Sequence, residues 1–129
     1  MLWYIAAGSA IGGVSRYLVG SLLQRLTGTG FPAGTLLINV SGSFLLGLIV
    51  QYAIETSAVS PELRGFLTIG FCGGYTTFST FSYESLALIE DGQWTRAGLY
   101  ILLSVALSIA AALLGVLAAR QLIAIRTAG

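Results

Sequence analysis

An all-α membrane protein with four transmembrane helices is the fold class predicted for this chain, and three observations predict it. The 129 residues are 56% hydrophobic and only 9% charged, with a mean hydropathy of +0.89, far from the roughly 25% charged composition of soluble domains. Four apolar stretches, Leu2 to Leu23, Thr35 to Ile54, Leu63 to Ile89 and Gly98 to Ala119, each reach the roughly 20 residues that cross a hydrocarbon core as helix. Turn and breaker residues separate them: Gly28, Gly30 and Pro32, then Ser57, Ser60 and Pro61, then Asp91 and Gly92. Little chain remains, so residues 1–129 read as a single four-helix transmembrane domain.

Charge narrows the function classes. The formal net charge is +1, the basic residues are all arginine, and there is no histidine. Without a basic patch, no nucleic-acid partner is expected. Four crossings place Arg64, Arg120 and Arg126 on one side and Arg25 and Arg96 on the other. Three against two is a weak positive-inside bias, from which we expect dual topology, with the two orientations pairing as an antiparallel homodimer. The first apolar run exceeds the roughly 7 to 15 residues of a signal-peptide core and is expected to be a retained helix. Cys72 is the only cysteine; with no second thiol or imidazole beside it for a disulfide or a metal site, it reads as a small buried apolar residue. No nucleophile with a base, metal cluster or phosphate loop with its lysine is present, so nothing points to an enzyme.

In helix one, Gly8, Gly12 and Gly20 recur at multiples of four with Ser9 and Gly13 beside them, the small-residue surface that lets membrane helices approach closely. Arg16 lies about two-thirds along this helix. At that depth an arginine costs several kcal/mol unless it snorkels or lines water. It is read either as a structural arginine or as a positive charge at the mouth of an anion pathway.

Helix two carries Thr35, Asn39 and Ser43 every four residues, continued by Gly47, so these share one helical face. A buried asparagine amide must find partners in lipid. Helix four matches it with Tyr100, Ser104 and Ser108, then Ala112. A lone hydroxyl can bond back to the carbonyl four residues earlier, so either stripe alone would be structural. Two stripes of equal spacing point to a shared polar pathway. Helices packed at roughly 8 to 10 Å leave little room to enclose one, so a partner copy is expected.

Helix three contains Gly70–Glu84, GFCGGYTTFSTFSYE. Gly73 and Gly74 each cost roughly 1 kcal/mol in a helix interior relative to alanine, so the helix is expected to break there. Broken helices at membrane depth are a recurring ion-site device, and the carbonyls of Gly73 and Thr76 would be free to face a small cation. Phe78 and Phe81 share a face, and their positive ring edges can contact an anion. They are flanked by Thr77, Ser79, Thr80 and Ser82. Read alone, two phenylalanines are packing. Together with the stripes they offer neutral donors and no carboxylate until Glu84, a set suited to a small anion that must also leave. Chemistry alone does not separate fluoride from chloride.

Three motifs, GGVSRY in helix one, GTLLINVSG in helix two and GFCGGYTTFSTFSYE in helix three, resemble the Fluc family of fluoride channels, also called the CrcB family. The likeness covers essentially the whole chain in length, helix count and motif order. It implies an antiparallel dual-topology homodimer in the microbial inner membrane, multi-pass, with two passive fluoride pores that protect the cell from accumulated fluoride. By position, Asn39 resembles the pore asparagine, and Phe78 and Phe81 resemble the paired pore phenylalanines. Ser104 and Ser108 are similar to the helix-four polar track, with Tyr100 beside it. Gly73 and Thr76 resemble the residues whose carbonyls, two from each subunit, hold a structural sodium ion. Arg16 is similar to the vestibule arginine and Glu84 to the acid that closes the motif. A dual-topology proton-coupled transporter, including an exporter of cationic drugs, is the rival reading; it needs an intramembrane carboxylate or a histidine relay. In a structural subunit the stripes would merely pack.

Overall fold

The computed structural model describes residues 1–28 and 30–129, which are helical apart from short connections and contain no strand. Helix α1 runs Leu2–Thr27 and α2 runs Ala33–Glu55. Helix α3, Pro61–Gly65, continues into a π-helical segment, Phe66–Cys72, and a last turn, α4, Gly73–Tyr75. After an extended step at Thr76 and Thr77 comes α5, Phe78–Glu90, and then α6, Trp94–Ala128. Helices α2 and α6 are each long and apolar enough to cross a membrane. Helix α1, with 26 residues, is ~39 Å long.

The connections follow from their residues. Gly28 and Gly92 take φ of 78° and 73°, the left-handed region open to glycine. Ser60 accepts the Leu63 N–H at 3.2 Å ahead of Pro61, a hydroxyl cap with proline at the first helical position.

Glycines set the two tightest helix pairs. On α1, a Cβ at Gly8 would lie 2.3 Å from the Phe66 carbonyl oxygen, and one at Gly12 would lie 2.3 Å from that of Phe71. From the other side, a Cβ at Gly74 would meet the Ser9 oxygen at 2.6 Å. Helix α2 docks on α6 in the same way: Gly47 faces the Ala112 oxygen (2.3 Å) and Gly115 the Phe44 oxygen (2.1 Å). These are backbone-to-backbone approaches that only glycine permits. Gly13, by contrast, meets nothing within 4 Å, and Gly20 makes only ordinary contact with Ile38.

Two features differ from the sequence expectation. The third apolar stretch is broken, but not at Gly73-Gly74: Gly73 has φ −64°, ψ −37° and is helical. The break is at Thr76 (φ −81°, ψ 158°) and Thr77 (φ −152°, ψ 115°). A propensity deficit of about 1 kcal/mol per glycine is outweighed by the packing that Gly74 allows against α1. The extended residues are instead the ones that side chains from two other helices hold in place. Helix α6 also continues past Ala119 to Ala128, because Ala, Arg, Gln and Leu in that tail are strong helix formers; at 35 residues it is ~52 Å long.

Candidate functional site

The break is closed by side chains from α1 and α2. Asn39 Nδ2 donates to the Thr77 carbonyl at 3.0 Å, and the Thr77 N–H donates back to Asn39 Oδ1 at 2.8 Å. The asparagine amide thus pairs with one residue of backbone at two points, satisfying groups that would otherwise be orphaned. Arg16 Nη1 donates to the Thr76 carbonyl at 3.2 Å, so this arginine reaches the break. Thr77 then caps α5, its hydroxyl accepting the Thr80 N–H at 3.2 Å. Gly42 lets α2 come this close, since a Cβ there would sit 2.3 Å from Thr76 Cγ2. The sequence offered one signal for Gly42, its place three residues after Asn39.

Beside the break lies a groove of about 270 Å³, lined by Asn39, Ser43, Thr76, Thr77, Phe78, Phe81, Ser104 and Ser108 among others. Asn39 and Ser43 of one polar stripe therefore meet Ser104 and Ser108 of the other across one space. Phe78 and Phe81 stand at its edge with ring centroids 5.5 Å apart. Phe81 is 9% exposed, whereas Phe78 is 77% exposed and projects from the chain. The hydroxyls differ in availability. Ser43 donates to its own helix at Asn39 O (2.6 Å), and Thr76 to Cys72 O (2.8 Å). Ser104, only 6% exposed, has the one buried side-chain polar atom without a hydrogen-bond partner among the described residues. A buried hydroxyl left so costs roughly 1–3 kcal/mol, and this one lies on the wall of the groove.

Thr35, Tyr100 and Glu84 form a second cluster. Thr35 Oγ1 donates to Glu84 Oε1 at 2.8 Å and the Tyr100 hydroxyl to Glu84 Oε2 at 2.7 Å. Tyr100 is fully buried, and its ring meets Phe81 at 5.3 Å, which links the cluster to the groove. The carboxylate borders a separate cavity of about 240 Å³ with Phe31, Pro32 and Gln93. Tyr100→Phe removes a charge-assisted bond and should lower stability by about 1.5–3 kcal/mol, read from unfolding in detergent; a loss below about 0.5 kcal/mol would mean that the carboxylate is held without it.

Of the residues singled out in the sequence, Asn39, Thr76, Thr77, Phe78, Phe81, Ser104 and Ser108 come together in the groove. Thr35, Tyr100 and Glu84 stand one layer away. Ser79 is exposed and lies outside the groove lining, its hydroxyl 3.3 Å from that of Thr77. Gly73 is exposed, and a Cβ there would meet only Thr68 O, at 3.8 Å. Its carbonyl has lost the usual helical donor, because the Thr77 N–H is taken by Asn39. Cys72 is buried and free.

Residues 3–116 match the family described as CrcB-like protein, Camphor Resistance (CrcB). The chain is 52% identical over 118 residues to a protein of Geobacter sulfurreducens named fluoride-specific ion channel FluC, covering 92% of this chain and 95% of that one. It is 50% identical over 119 residues to a protein of the same name from Coxiella burnetii (92% and 96% covered). A third, from Rhizobium meliloti, is 47% identical over 120 residues (92% and 95% covered).

Proposed function

The chain belongs to the CrcB-like family, and on that premise we propose that it is a fluoride-selective channel of the cell inner membrane, passing the ion passively through the groove beside the break. Its family and named relatives are ion channels, not enzymes. The observation that carries the reading is the buried, unpartnered Ser104 hydroxyl on the wall of a groove shared with Asn39, Ser108 and Phe81. A small anion that accepts hydrogen bonds strongly satisfies this donor. Neutral O–H, N–H and ring-edge dipoles hold it without the tight binding that a fixed charge would give.

The groove is open on one side, with Phe78 projecting from it, which supports closure by a second, antiparallel copy and hence two pores per dimer. A central sodium ion fits the carbonyls available. Gly73 is exposed with its carbonyl unclaimed by Thr77, and the Thr76 carbonyl, bonded by Arg16, has two lone pairs to share. Two such oxygens are few for a hard cation, so four from two copies would be needed. When bound, the ion would supply fixed positive charge between the two breaks. Glu84, held by Thr35 and Tyr100 outside the groove, is not placed to relay protons along it, which favours passive flow over proton coupling.

Phe81→Ile keeps the bulk and removes the ring edge. Losing about 1–1.5 kcal/mol of edge interaction corresponds to roughly tenfold slower passage. Fluoride efflux from liposomes should fall by about that factor, with the protein's elution volume unchanged. Unaltered efflux would leave the groove as packing, and uphill fluoride movement driven by a pH gradient would replace the channel with a coupled transporter.

A further inference from the structure

A larger cleft, about 590 Å³, opens where α1 begins, α2 ends and α3 begins. Its walls are Ile5, Val50, Ile54, Pro61 and Ile69, and Arg64 stands among its lining residues. From Pro61 to Ile69 the cleft follows the helix for ~12 Å, from its first residue inward. The hydroxyl of Thr68, also in the lining, donates to the Arg64 carbonyl at 2.8 Å, so the inner part offers little polar surface. Arg64 is exposed, and the ion pair found among the described residues, Arg120 with Glu55, does not involve it.

An apolar slot with a cation near its interfacial end is complementary to one kind of molecule in a bilayer. We propose that the cleft holds an acyl chain of an anionic phospholipid whose phosphate is bound by Arg64. The guanidinium fork matches phosphate oxygens in a bidentate way, and basic pockets between membrane helices favour anionic head groups. A second copy of this chain is the competing occupant. Covering the cleft with another helix face would desolvate the Arg64 guanidinium without a partner, a costly arrangement.

The test uses the full chain in nanodiscs of equal phosphatidylglycerol and phosphatidylcholine, with lipids retained on release read by native mass spectrometry; this readout is independent of ion flux. Phosphatidylglycerol should be retained about fivefold over phosphatidylcholine, from the attraction of one basic residue. The preference should vanish in Arg64→Gln and persist in Arg120→Gln, and Val50→Trp, which fills the slot, should lose the lipid. Equal retention of the two lipids, or a preference that survives Arg64→Gln, would overturn the proposal. So would loss of the dimer, read by elution volume, in Val50→Trp, which would place a second copy in the cleft that this side chain fills.

Discussion

Fluoride efflux through the Asn39→Asp chain should fall by roughly a thousandfold at neutral pH. The carboxylate can still accept the Thr77 N–H, but it can no longer donate to the Thr77 carbonyl, so one of the two bonds across the break is lost. It also sets a negative charge on the groove wall. Two like charges about 4 Å apart at an effective dielectric near 20 repel by about 4 kcal/mol, and each ~1.4 kcal/mol is a factor of ten in rate. The measurement is efflux from liposomes at matched protein density, alongside Phe81→Ile. Efflux within about twofold of the unmodified chain would show that no anion passes Asn39.

Gly12→Ala should cost the most stability, about 3 kcal/mol, while Gly13→Ala one position along should be neutral or stabilising by up to about 1 kcal/mol. Both exchanges raise helix propensity equally. They differ in surroundings: the Gly12 methyl would fall 2.3 Å from the Phe71 oxygen and 2.9 Å from the Tyr75 nitrogen, whereas the Gly13 methyl meets nothing within 4 Å. The obstructing atoms are backbone on a packed helix, which cannot swing aside as a side chain can. Because Tyr75 adjoins the break, efflux should fall with stability in the first variant alone. Denaturation of the two variants in detergent gives the comparison, and indistinguishable midpoints would mean that α1 is not seated on Phe66–Tyr75 as described.

Much of this arrangement could be read from spacing alone. Helix count follows from apolar length, and of the polar residues repeated every four positions Asn39, Ser43, Ser104 and Ser108 share the groove, while Thr35 and Tyr100 turn to Glu84. What spacing cannot give is the outcome of competition between local and tertiary terms. Gly73 and Gly74 look like helix breakers, yet both stay helical, with Gly74 seated against α1, and the break falls two residues later, where Asn39 and Arg16 can reach it. The reach of Arg16 to Thr76, 60 residues away, leaves no local trace. Nor does the engagement of Glu84 by hydroxyls from α2 and α6. The tail of α6 was missed for another reason: its arginines end the apolar run without ending the helix.

The three bonds at Thr76 and Thr77 have a further consequence. Straightening α4 and α5 into a continuous rod would return the Thr77 N–H to a helical carbonyl for a net gain of about 1 kcal/mol. It would also strand an amide and a guanidinium in hydrocarbon, at several kcal/mol for the pair. A gap of ~5.5 kcal/mol already holds the rarer of two forms near one part in ten thousand. The joint is therefore latched rather than hinged: the bend belongs to the resting architecture of the chain, and a motion that needed it to straighten would have to break all three bonds at once.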